Sequence, residues 1–156
     1  MVMLTNIKSF FEKNFMNVNV AQDEQHQLKL ATAALLIEMM QQDDEVHEKE
    51  YQAVMLALQE KFDLLETETE NLIKLAREEA HAATDYHQFT RLISRQFSQS
   101  QKIKVIEYLW MVAYADGHLD RYEEHMVRRI ADLIYVSHID FMQAKHRVKQ
   151  RLGLDD

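Results

Sequence analysis

The chain has 156 residues, enough for one domain with a single sizeable core, and its 47% apolar and 28% charged residues are the balance of a folded globular protein. It contains no proline, no cysteine and only two glycines, which excludes a turn-rich β architecture, a disulfide framework, a thiolate nucleophile and any cysteine-ligated zinc or iron–sulfur centre. A formal charge of −8 opposes the nucleic-acid backbone, so the expected partners are cations and protein surfaces rather than nucleic acid.

The N-terminal run Met1 to Met16 carries Leu4, Ile7, Phe11 and Phe15 at helical spacing. Lys8, Glu12 and Lys13 interrupt it, so it is read as an amphipathic arm rather than a signal peptide or a transmembrane segment. Such an arm can dock on its own domain, join two copies in a homo-oligomer, or touch a membrane surface weakly. Asn17 to Gln27 is polar and without apolar period; residues 1–27 are therefore expected to be arm and linker, and residues 28–153 an all-α helical bundle. Leu28 to Met40 is apolar on nearly every side and belongs in the middle of that bundle. Tyr51, Val54, Met55 and Leu58 continue as an amphipathic helix ending near Phe62.

Thr67 with Glu70 has the form of a capping box opening a third helix whose apolar face is Leu72, Leu75, Ala76 and Ala80. Asp85 with Gln88 repeats that signal before Phe89, Leu92, Ile93 and Phe97. Ile103, Ile106, Leu109, Trp110 and Ala113 form a second helix apolar almost all round. Tyr122, Met126, Ile130, Leu133 and Ile134 make one stripe, and Ser137 with Asp140 opens a last helix through Phe141, Val148 and Leu152 that Gly153 stops. With the arm this gives about eight helices, in repeat halves of about 28–82 and 101–153. The two apolar helices are expected to pack on each other about a pseudo-two-fold.

A shift of 73 positions lays Asp43-Asp44-Glu45-Val46-His47-Glu48-Lys49-Glu50 beneath Asp116-Gly117-His118-Leu119-Asp120-Arg121-Tyr122-Glu123, aligning Asp43 with Asp116 and Glu50 with Glu123. The later stretch has the second half of an EF-hand loop, with Gly117 at the sharp turn. Val112 and Tyr114 occupy the first ligand positions, however, so an ordinary EF-hand is rejected. What survives is a carboxylate set, Asp43, Glu50, Asp116, Asp120 and Glu123, whose oxygens favour Ca²⁺ or Mg²⁺ over Zn²⁺ or Mn²⁺ unless His118 or His125 joins. The alternative is capping alone, since Asp120 followed by Glu123 is itself a capping-box pattern. Capping does not account for Asp43 and Asp116, which follow helix C-termini where the dipole disfavours an anion.

The other histidines lack metal-pair spacing and are expected on the surface, and Trp110 and the nine methionines are expected in the core. Glu78-Glu79 and the run Glu66 to Glu70 are expected as solvated faces. There is no phosphate loop, no HExxH and no second Glu-x-x-His pair to match Glu78 and His81. No catalytic constellation and no organic cofactor site are therefore expected.

Ala113-Tyr114-Ala115-Asp116-Gly117-His118-Leu119-Asp120 with Glu123, the apolar helix Ile103 to Val112 before it, and the degenerate copy at Asp43 to Glu50 resemble the TerB family of tellurite-resistance proteins. They also resemble the related cytoplasmic domain of membrane-anchored DnaJ-like proteins. The resemblance covers roughly Leu28 to Leu152. It implies an all-helical domain of two similar halves with acidic cation-binding turns, in a bacterial cytoplasmic protein of tellurite or stress response that is not an enzyme. Asp44 stands where the second copy has its glycine, so the first turn departs from the pattern.

Overall fold

The computed structural model describes residues 21–41, 48–81, 88–114 and 121–154. They form seven helices, α1 Ala21–Gln41, α2 Glu48–Phe62, α3 Glu66–His81, α4 Gln88–Gln96, α5 Gln99–Ala113, α6 Arg121–Leu133 and α7 His138–Arg151. No strand occurs among the described residues, and the expected all-α bundle is what the chain forms. The arm expected over Met1 to Met16 and the acidic turns at 42–47 and 115–120 lie outside the described residues.

Two helices make the core. Every side chain from Leu30 to Met40 of α1 is buried, as is every side chain from Val105 to Trp110 of α5. At about 1.5–3 kcal/mol for each large apolar side chain taken from water, these two helices supply much of the folding drive. The remaining helices bury one stripe each: Val54, Leu58 and Phe62 of α2, Leu72, Leu75 and Ala76 of α3, Phe89 and Ile93 of α4, Met126, Val127 and Ile130 of α6, and Phe141, Ala144 and Val148 of α7. Trp110, Met39, Met40 and Met126 are in the core as expected, Met55 and Met111 pack partly buried against it, and Met142, 41% exposed, does not join it because it falls on the outer side of α7.

The repeat is visible in the helix boundaries. Glu48, which opens α2, and Arg121, which opens α6, are 73 positions apart, the shift that aligns the acidic turns. Within each half the central helix packs on the third, α1 on α3 and α5 on α7, and α1 packs on α5 across the halves. The second helix of each half closes on a residue with positive φ, Asp63 at 53° and Tyr135 at 63°. At Tyr135 the closure is a Schellman motif, with the N–H of Val136 donating to the Ala131 carbonyl at 2.9 Å and that of Tyr135 to the Asp132 carbonyl at 3.2 Å. Gly153, at φ 71°, closes α7 in the same way and is the expected stop.

Several helix starts differ from the sequence reading, at α1 because side chains far along the chain take part and at α3 and α5 through local bonds three residues apart. α1 begins at Ala21 rather than Leu28, so residues 21–27 of the stretch read as linker are helical. Their polar side chains have partners: Glu24 accepts from Gln101 Nε2 at 3.0 Å, and His26 Nε2 lies 2.9 Å from Glu68 Oε2. His26 is therefore paired rather than a free surface histidine. The same Glu68 accepts the Leu65 N–H at 2.9 Å, placing the cap of α3 at Leu65; Thr67, exposed, is inside the helix and is not the cap.

α4 is capped from a distance. Glu38 of α1, wholly buried, accepts the Phe89 N–H at 2.7 Å, the Thr90 N–H at 3.1 Å and the Thr90 hydroxyl at 2.6 Å. Asp85, expected in that role, lies outside the described residues. α5 opens on a complete capping box, Ser98 Oγ accepting the Gln101 N–H at 3.2 Å and Gln101 Oε1 accepting the Ser98 N–H at 2.9 Å, a start not expected from the sequence. Ser137 caps α7 as expected, accepting the Asp140 N–H at 3.2 Å.

Because Glu38 satisfies the first turn of α4 inside the core, its loss strands two backbone donors there. Glu38→Ala is expected to lower the unfolding free energy by about 3 kcal/mol, and Glu38→Gln by less because one oxygen remains to accept. Urea denaturation of the two variants measures both.

Candidate functional site

The acidic turns connect α1 to α2 and α5 to α6, so the placement of α1 relative to α5 decides where they depart. Glu24 and Gln101, each near the start of its helix, are joined by a 3.0 Å hydrogen bond. Further along both helices, the Lys29 ammonium lies 5.9 Å from the centroid of the Tyr108 ring. Both contacts advance in the same direction along the two chains, so α1 and α5 run parallel. Their N-termini share one end of the domain and their C-termini, Gln41 and Ala113, the other. Counted from the Glu24–Gln101 bond at 1.5 Å per residue, the two helices extend about 26 Å and about 18 Å towards that second end. Both acidic turns leave from it.

Glu50 and Glu123, paired by the repeat, are each the third residue of their helix, α2 starting at Glu48 and α6 at Arg121. The Glu123 side chain is half-buried. Asp43, Asp116 and Asp120, with His118, lie outside the described residues. Among the described residues no three His, Asp or Glu side chains are grouped as metal ligands. Glu124, next to Glu123, is engaged by Lys145 Nζ at 3.3 Å and so has a protein cation for company.

The last turns of α5 reach this end through an aromatic cluster. Trp110 is fully buried, with its ring centroid 6.0 Å from that of Tyr114, the C-cap, and 5.1 Å from that of Phe141 on α7. Lys145 Nζ sits 5.1 Å from the Trp110 centroid while holding Glu124, so one ammonium ties α5, α6 and α7 together. His138, also read as a surface histidine, is exposed and stacks on Phe141 at 5.9 Å.

Two carboxylates that position these elements were not singled out from the sequence. Glu38 fixes α4, and Glu107, 5% exposed, receives Arg147 at 3.1 Å and Arg151 at 2.7 Å, pinning α7 across α5. The signal for both is the same: a lone acid inside a helix apolar all round must have a partner to be buried there.

A family model described as "Tellurite resistance protein TerB" matches residues 29–146. The chain belongs to the TerB family. The matched span begins inside α1 and ends inside α7, so the TerB unit takes in both halves and both acidic turns. No curated protein and no solved structure matches the chain. Among the described residues no helix of this TerB domain is long and apolar enough to cross a membrane.

Lys145→Gln removes the ammonium from the Trp110 face and from Glu124. Stability is expected to fall by about 1 kcal/mol, with a change in the emission of Trp110, the single tryptophan, that persists far below the melting temperature. Thermal unfolding followed by tryptophan fluorescence reads both.

Proposed function

We propose that this TerB domain is a binding module, not a catalyst, that takes a divalent cation at the end of the bundle where α1 and α5 terminate. Asp43, Asp116 and Asp120 would supply carboxylates from the turns, and Glu50 and Glu123 from the first turns of α2 and α6. Ca²⁺ or Mg²⁺ suits an all-oxygen set better than Zn²⁺ or Mn²⁺. The observation that carries this reading is the parallel pairing of α1 and α5. Two helix C-termini at one end each present about half a negative charge, and the turns add carboxylates where helix dipoles repel them. A cation relieves that repulsion; caps alone do not. The family description ties TerB to tellurite resistance, and a cytoplasmic role in metal or oxyanion stress, with a protein partner, fits a module of this kind.

A second reading has its own observation. Ile139 and Met142 are 68% and 41% exposed at helical spacing on the outer side of α7, and Tyr135, 76% exposed, lies in the turn that leads into it. On that reading the domain is an interaction scaffold, its acidic turns are caps, and the N-terminal arm or this face docks a partner.

Isothermal titration with Ca²⁺, Mg²⁺, Mn²⁺ and Zn²⁺ separates the two. The cation reading expects saturable binding with Kd of about 1 mM or tighter, weakened at least about tenfold in Asp116→Asn/Glu123→Gln. Absence of binding in the wild type, or equal affinity in the double variant, removes it. If Ile139→Asp then abolishes partner capture while cations change nothing, the scaffold reading stands instead.

A further inference from the structure

The parallel pairing of α1 and α5 has a second end. There the N-termini of a 21-residue and a 15-residue helix come together, and a groove of about 330 Å³ opens between them. Leu28 and Tyr108 form its floor, with Glu24 on the α1 side and Ser100, Gln101 and Lys104 on the α5 side. We propose that this groove binds a small anion that carries an ammonium or hydroxyl donor at its other end.

The α5 side is built for the anion. The N–H groups of Gln101 and Lys102 are taken by Ser98, which leaves those of Gln99 and Ser100 without an acceptor inside the helix. They point out of the positive end of the α5 dipole, beside the Ser100 hydroxyl and the exposed Lys104 ammonium. Tyr108 supplies an observation independent of the helix end. Its side chain is 7% exposed, its ring is wedged edge-on against Phe62 at 5.5 Å under the Lys29 ammonium, and its hydroxyl has no partner among the described residues. A phenol carried into a core ordinarily finds a hydrogen-bond partner. Here it lines the groove, where a ligand would provide one.

The α1 side sets the selectivity. Glu24 is held in place by the Gln101 amide at 3.0 Å, which spends one of its acceptor sites and leaves the others facing the groove. A bare anion meets Lys104 on one side and Glu24 on the other, so its net gain is small. A ligand with a donor at the far end turns Glu24 from a repulsive into an attractive neighbour. The space admits a phosphorylated or carboxylated metabolite of modest size.

The test is an NMR titration of the full chain at constant ionic strength, with phosphoethanolamine, inorganic phosphate and chloride as the probes. Saturable shifts at the Gln99 and Ser100 amides and the Gln101 side chain are expected, with phosphoethanolamine binding about fivefold or more tightly than phosphate and chloride not saturating. Lys104→Gln and Tyr108→Phe should each weaken phosphoethanolamine by about three- to tenfold, the phenylalanine keeping the buried ring in place. Glu24→Gln should abolish the preference for the amine-bearing probe without abolishing phosphate binding. Repeating the titration in EDTA separates this groove from the cation site, since its affinity should not change. Shifts that stay linear with concentration, match those with chloride, or ignore both Lys104→Gln and Tyr108→Phe overturn the proposal.

Discussion

The rest of the structure depends on the side-by-side, parallel packing of α1 and α5. Each is too apolar to stand at a surface, with unbroken buried runs from Leu30 to Met40 and from Val105 to Trp110. Only mutual burial, with the other helices as a jacket, removes that much apolar area from water. Two helices related by an internal repeat can pair antiparallel or parallel, depending on whether the pseudo-two-fold lies across or along them. The Glu24–Gln101 and Lys29–Tyr108 contacts select the second. The domain is thereby electrically polar. One end collects two helix N-termini and an open groove, and the other collects two C-termini and the departure points of both acidic turns.

Buried carboxylates then fix the jacket to this pair. Glu38 reaches from α1 to the first turn of α4, the helix that joins the halves, and Glu107 reaches from α5 to two arginines of α7. Each replaces a local capping or surface pairing with a contact between elements distant in sequence, and each leaves a penalty if its partner is lost. Lys145, between Trp110 and Glu124, adds a third tie close to the end of α5. The helices on either side of residues 42–47 and 115–120 thus have relative positions set by charge inside the bundle as well as by apolar packing.

The architecture was legible in the sequence to the extent that it depends on periodicity. The absence of proline, the two all-round apolar helices and the shift that aligns Asp43 with Asp116 predict the all-α class, the two central helices and the equivalent registers of Glu50 and Glu123. Ser137 and Gly153 show local chemistry deciding local structure. The misplaced start of α1 has the opposite character. Ala21 to Gln27 looks like a linker because its partners, Gln101 and Glu68, are far along the chain. At α3 the cap is Leu65 rather than Thr67, with Glu68, which also meets His26, accepting the Leu65 N–H. The parallel sense of the central pair is invisible to periodicity, which is the same for either direction, and with it the common end of the two turns and the groove at the other end.

The central claim is that one end of the bundle gathers both acidic turns around a cation, and Mn²⁺ as a paramagnetic probe tests it most directly. Titrated substoichiometrically into isotopically labelled protein, it should broaden the amides of Met39–Gln41 and Val112–Tyr114 together, at the ends of α1 and α5. Those of Glu24–His26 and Gln99–Gln101, at the opposite end, should stay sharp, and Mg²⁺ should compete the broadening away. Broadening confined to one helix end, or spread evenly along the acidic outer faces of α2 and α3, would contradict it.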